Sequence, residues 1–89
     1  AEPAAQYEVH EALQEFFRKN TLAGSPHNIK VQIAAGELQV SLHCRLAPTT
    51  AITEAHDVTV KLEEFLRTHV SNLGRVVIHV EPAKGQGEG

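Results

Sequence analysis

Apolar residues recur along this chain with two different periods, and the alternation between the periods divides it into elements. From Pro3 to Lys19, Val9, Leu13, Phe16 and Phe17 fall at i, i+4, i+7 and i+8, with Ala12 beside them. One such apolar stripe predicts a helix. Glu2, Glu8 and Glu11 lie toward its start and Arg18 and Lys19 at its end, as the helix dipole favours. Asn20 to Pro26, with Gly24-Ser25-Pro26, breaks the pattern. The period then becomes two. His27 to Ala34 places Ile29, Val31 and Ile33 on one face and Asn28, Lys30 and Gln32 on the other. Ala35-Gly36 supplies a turn, and Glu37 to Leu46 returns with Leu38, Val40, Leu42, Cys44 and Leu46 inward. Gln39, Ser41, His43 and Arg45 point outward. Two alternating runs around a Gly-bearing turn predict a β-hairpin with one buried face.

Helical spacing resumes from Ile52 to Val70 through Ile52, Ala55, Thr59, Leu62, Leu66 and His69, widened by Val58, Phe65 and Val70. Thr50 is the expected N-cap. Ser71-Asn72-Leu73-Gly74 ends the helix, with Gly74 expected as the left-handed closing residue. The last alternating run, Arg75 to Pro82, carries Val76, Ile78 and Val80 on one face and Val77, His79 and Glu81 on the other. The order is αββαβ, an α+β two-layer sandwich with a three-stranded mixed sheet and both helices on one face. It resembles a ferredoxin-like domain without its first strand. A strand–helix–strand crossover makes the closing strand parallel to the second strand. The closing strand is expected to pair with the second strand, pairing with the first being the alternative. Residues 1–26 form the first helix and its linker, 27–82 the ββαβ core, and 83–89 a flexible tail.

Composition narrows the possible functions. At 89 residues there is room for one small domain, which buries roughly 60% of its unfolded surface and gains from packing against a second copy. A homodimer is therefore expected. Eight basic residues against eleven acidic give a net charge of −3, which argues against nucleic acid and anionic membranes as partners. The single Cys44 excludes an internal disulfide framework and fits a reducing compartment. No apolar run reaches the roughly 18 residues of a membrane span, and no signal peptide is visible. A chain that begins at Ala1 fits a processed protein or an excised domain.

The chemistry lies in the six histidines. His79 and Glu81, two apart on a strand, point the same way and offer an imidazole with a carboxylate. In the expected topology His43 comes to the same edge of the open face. His27 starts the antiparallel strand there, and His56 stands in the first turns of the helix that leaves that edge. His27 has the parity of Ile29, the buried face, and is the misfit of the group. His10 and His69 fall outside it and suit solvated or helix-end roles. Imidazole and carboxylate together are a common ligand set for Zn2+, and also for Co2+, Ni2+, Mn2+ or Fe2+.

These residues also carry a family resemblance. His27-Asn28-Ile29-Lys30, Val40-Ser41-Leu42-His43, Pro48, Glu54-Ala55-His56 and Val77-Ile78-His79-Val80-Glu81-Pro82 resemble the cytoplasmic C-terminal domain of cation diffusion facilitator transporters. The resemblance spans His27 to Pro82. It implies homodimerisation, Zn2+ or a similar ion near the dimer interface, and a membrane transport domain upstream whose activity the metal-bound dimer favours. By motif position the implied ligands are His27, His43, His56 and His79, with Glu81 as a shared or bridging carboxylate. Glu81 stands where many relatives have Asp, and Asn28 and Lys30 where Asp and Arg are common. Val80 is apolar where some relatives offer a further ligand.

Other readings are weaker. A free-standing metal-binding or chaperone protein of the same fold is the alternative, distinguished by the coding sequence upstream of Ala1. The αββαβ order also resembles a KH module, but the Gly-x-x-Gly loop and basic charge are missing. No nucleophile is paired with a base, so an enzyme is not expected.

Overall fold

The structure, a computed structural model, describes residues 3–20 and 23–83. Its elements are α1 (Pro3–Lys19), β1 (His27–Ala34), β2 (Glu37–Leu46), α2 (Ile52–His69) and β3 (Leu73–Pro82). The strands form one sheet in the order β1-β2-β3, with β1 antiparallel and β3 parallel to β2. The expected fold class and the pairing of β3 with β2 are both borne out. Glu2 and the tail from residue 84 lie outside the described residues.

The core sits between β2 and the helices. As the central strand, β2 has Leu38, Val40, Leu42, Cys44 and Leu46 all buried. Against them pack Val9, Ala12, Leu13 and Phe16 of α1 and Val58, Leu62 and Leu66 of α2. Burying a Leu or Val side chain in this way contributes about 1.5–3 kcal/mol. The flanking strands are less covered. Ile29, Val31, Val76 and Ile78 are half-buried, and Ile33 and Val80 are exposed despite their inward parity.

Among the described residues, Asn28, Ala35 and Asn72 join Gly36 in the left-handed region. Ala35 (φ 53°) and Gly36 (φ 79°) close the hairpin as a two-residue turn with both central residues at positive φ. Asn72 (φ 58°), rather than Gly74, makes the reversal after α2, and its Nδ2 donates to the Gly36 carbonyl at 2.7 Å. Gly74 instead belongs to β3, beside a register shift between Leu38 and Val40. A glycine is needed there because a Cβ would lie 2.6 Å from Glu37 Oε1 and 2.9 Å from Glu37 Cβ. The N-cap of α2 is Ala51, with no side-chain cap bond, so Thr50 does not cap the helix. His10 Nδ1–H donates to the Gln6 carbonyl at 2.9 Å. The His69 ring stacks on Phe65 at 3.9 Å. Both engage their own helices, as their placement outside the candidate site requires.

Candidate metal centre

Parity, register and one bulge deliver side chains to the open face at the end of β2. His43 pairs with His27 on one side and His79 on the other, so three imidazole-bearing positions form a row across the sheet. One row further, Arg45 pairs with Glu81. His27 reaches this face through an irregularity. Between the pairs His27–His43 and Lys30–Ser41 the register shifts, so Asn28 and Ile29 oppose Leu42 alone. Such a β-bulge adds one residue and reverses the parity beyond it. Asn28, at φ 52°, takes the left-handed conformation that Asn tolerates better than most residues. The misfit of His27 is thereby resolved: its simple alternation points inward, and the bulge turns it outward.

Glu81 is the hub. Its Oε1 lies 3.3 Å from His27 Nε2, and its Oε2 accepts a hydrogen bond from His43 Nδ1. Arg45 Nε is 3.7 Å from the same Oε1. The His43 hydrogen bond holds the Glu81 carboxyl below the usual carboxylate range, aided by the charges of His43, His27 and Arg45 and opposed by partial desolvation. The His27 and His43 rings lie 5.3 Å apart, and His79 stacks on His43 at 4.7 Å. His27, His43 and Glu81 are half-buried, which leaves an ion a path from solvent.

One nitrogen from each of His27 and His43 and one Glu81 oxygen lie within 4.8 Å of one another. Tetrahedral zinc with bonds of about 2.05 Å separates its ligand atoms by roughly 3.3 Å. The His27–Glu81 separation already has that value. An imidazole binds a metal through an unprotonated ring nitrogen, and a carboxylate through its oxygens. The donor set thus fits a zinc-like ion. His79 and His56 are outside this group: His79 is exposed beside His43, and His56 is exposed on α2. Cys44 faces the core, where burial pushes its thiol pKa up, with the Glu81 charge adding to the effect. It is not available as a thiolate ligand. Arg45, which alternation alone marks only as outward-facing, is the residue at this site that carried no sequence signal for a role.

Residues 5–83 match the family described as cation efflux protein, cytoplasmic domain. The chain belongs to that family. Comparison with curated protein sequences gives no significant match. Among solved structures, the metal-bound C-terminal domain of the CzcD transporter from Thermotoga maritima superposes with a TM-score of 0.81. It is 15% identical, and the match covers 97% of this chain and 99% of that one. CzrB, a candidate zinc transporter, is 26% identical with a TM-score of 0.79 over 93% of this chain and 98% of that one. Its zinc form is 29% identical with a TM-score of 0.73, covering 93% and 90% of the two chains. The likeness to the CzcD domain supports the fold, and the family match places the chain among cytoplasmic domains of cation efflux proteins. No helix among the described residues is long and apolar enough to cross a membrane. The family resemblance read from the histidine and Glu81 motifs is borne out.

Proposed function

We propose that this domain binds a divalent transition metal, Zn2+ first among them, and through it regulates a cation efflux transporter as a homodimer. The observation that carries the reading is the convergence of His27, His43 and Glu81, from three different strands, on one point of the open face. An arrangement that needs a dedicated bulge to bring its third member in is a designed feature rather than a surface accident. His79, stacked on His43, and His56 at the start of α2 are further ligands for a second ion or for a set completed across the dimer. The zinc form of CzrB supports the choice of metal. Metal binding shifts the dimer between conformations by its differential affinity for them.

Isothermal titration of Zn2+ at pH 7.5 into the wild type and a His43→Ala, Glu81→Gln double variant tests the site. The double variant should lose at least tenfold in affinity. Equal affinity in the two proteins would sink the assignment. Sedimentation velocity with and without Zn2+ tests the dimer, which should sediment as one species whose coefficient changes on metal addition. A monomer in both conditions would reject dimer regulation while leaving metal binding intact.

A further inference from the structure

Glu81 has a neighbour that cannot become a ligand. Arg45 faces it directly in the parallel pairing of β2 with β3, and its Nε lies 3.7 Å from Oε1. That oxygen is also the one approached by His27 Nε2 at 3.3 Å. The placement is fixed by strand alternation, because Arg45 follows His43 by two residues and Glu81 follows His79 by two, all on the open face. The imidazoles around Glu81 can exchange a proton for a metal. A guanidinium has no lone pair to offer and keeps its charge throughout the physiological range. It can only move away. Among the described residues no other Lys or Arg is within ion-pair distance of Glu81.

We propose that Arg45 is the resident counter-ion of Glu81 and sets the domain's metal affinity, because a divalent cation must displace it from the carboxylate. This rests on the metal-binding reading given above. With the metal absent, the guanidinium shares Glu81 with the two imidazoles. With the metal bound, a fixed positive charge stands beside a dication, and the affinity is lower than the three donors alone would give. The opposite role, orienting Glu81 for the metal, is less favoured by the geometry. Both carboxylate oxygens are already engaged by His27 and His43, and a partly exposed ion pair adds little further ordering. A dication about 5 Å from a guanidinium in water-like surroundings at physiological salt is opposed by a factor of roughly three to ten.

Zn2+ titrations of the wild type, Arg45→Gln, Arg45→Lys and Glu81→Gln read this directly, with circular dichroism confirming that each variant is folded. Arg45→Gln should bind about three- to tenfold more tightly, by the same charge argument. Arg45→Lys, which keeps the charge, should stay near the wild type, and Glu81→Gln should bind more weakly. A merely structural Arg45 would not tighten binding when removed. If Glu81→Gln weakens binding and Arg45→Gln leaves it unchanged or weaker, the counter-ion role is overturned and the metal site stands. If wild type and Glu81→Gln bind equally, the site reading fails and the Arg45 role with it. Should the wild type bind no zinc, binding by Arg45→Gln alone supports the role, and binding by neither overturns both.

Discussion

The bulge at Asn28 makes the sharpest test of how the fold builds the site. Asn28 holds φ at 52°, and the register shift around it is what turns His27 to the open face. Replacement by Val puts a β-branched side chain in the left-handed region, at a cost of about 1–2 kcal/mol. The strand can avoid that cost only by withdrawing the bulge. Regular pairing from Lys30–Ser41 onward would then place residue 28 opposite His43 and His27 opposite Cys44, facing the helices. Either outcome is measurable. If the bulge persists, a domain of this size loses about 4–8 °C of melting temperature for each kcal/mol. If it is withdrawn, Glu81 loses the imidazole that lies 3.3 Å from it, and Zn2+ affinity falls at least tenfold.

Two companion variants separate the explanations. Asn28→Gly accepts positive φ and should retain metal binding, with a stability change under about 1 kcal/mol from the freer unfolded chain. Deletion of Asn28 removes the extra residue itself, leaves Ile29 opposite Leu42, and keeps His27 outward in a regular strand. It should also bind zinc. Thermal melts of the metal-free proteins, followed by calorimetric titration with Zn2+, measure both quantities. An Asn28→Val protein with wild-type melting and wild-type affinity would refute the link between this backbone conformation and the site.

Other expectations follow from single features. In the metal-free protein, the lowered Glu81 pKa contributes stability that is present above the unfolded carboxyl value of about 4.3 and is lost as pH falls through the folded value. Urea midpoints of wild type and Glu81→Gln should therefore differ near pH 5–6 and converge at lower pH; a constant difference would contradict the ion-pair account. Gly74→Ala should destabilise by about 1 kcal/mol because Glu37 Cβ, 2.9 Å from the added methyl, is held by the backbone. Glu37→Gly should recover part of that loss in the double variant, and full additivity would exclude the clash. Leu62, fully buried at the centre of α2, should cost about 2–5 kcal/mol when cut to Ala in urea unfolding. A loss below 1 kcal/mol would mean the core is not packed as described.

Periodicity made most of the fold legible, and its failures have identifiable causes. The bounds of α1, β1 and β2 agree with the spacing of Val9, Leu13 and Phe16 and with the two alternating runs. β3 begins at Leu73, earlier than alternation suggests, because Gly74 allows a register shift that brings Leu73 opposite Leu38. The end of α2 departs from its expected closing residue for a related reason. Gly74 has the composition of a closing residue, yet Asn72 holds the left-handed conformation and anchors itself to Gly36. Thr50 has the chemistry of an N-cap but stands one residue before the capping position. In each case composition named a suitable residue, and the backbone path selected its neighbour.

The site shows the same division between face and register more strongly. Alternation assigns His43, Arg45, His79 and Glu81 to one face without reference to any partner strand. It cannot say which of them meet. His79 and Glu81, two residues apart on one strand, stand roughly 6.6 Å apart along it, so sharing a face does not put them in contact. Glu81 instead leans toward β2, where His43 hydrogen-bonds one of its oxygens and the nitrogens of His27 and Arg45 approach the other. His79 is left to stack on His43. A carboxylate moves toward the side that satisfies more of its lone pairs, and the parallel register of β2 with β3 is what places those groups there. The i, i+2 pair that suggests a metal site from sequence is therefore divided by the fold. Glu81 serves as the hub of a group drawn from the neighbouring strands, and the one cation in that group that cannot ligate is the one able to tune it.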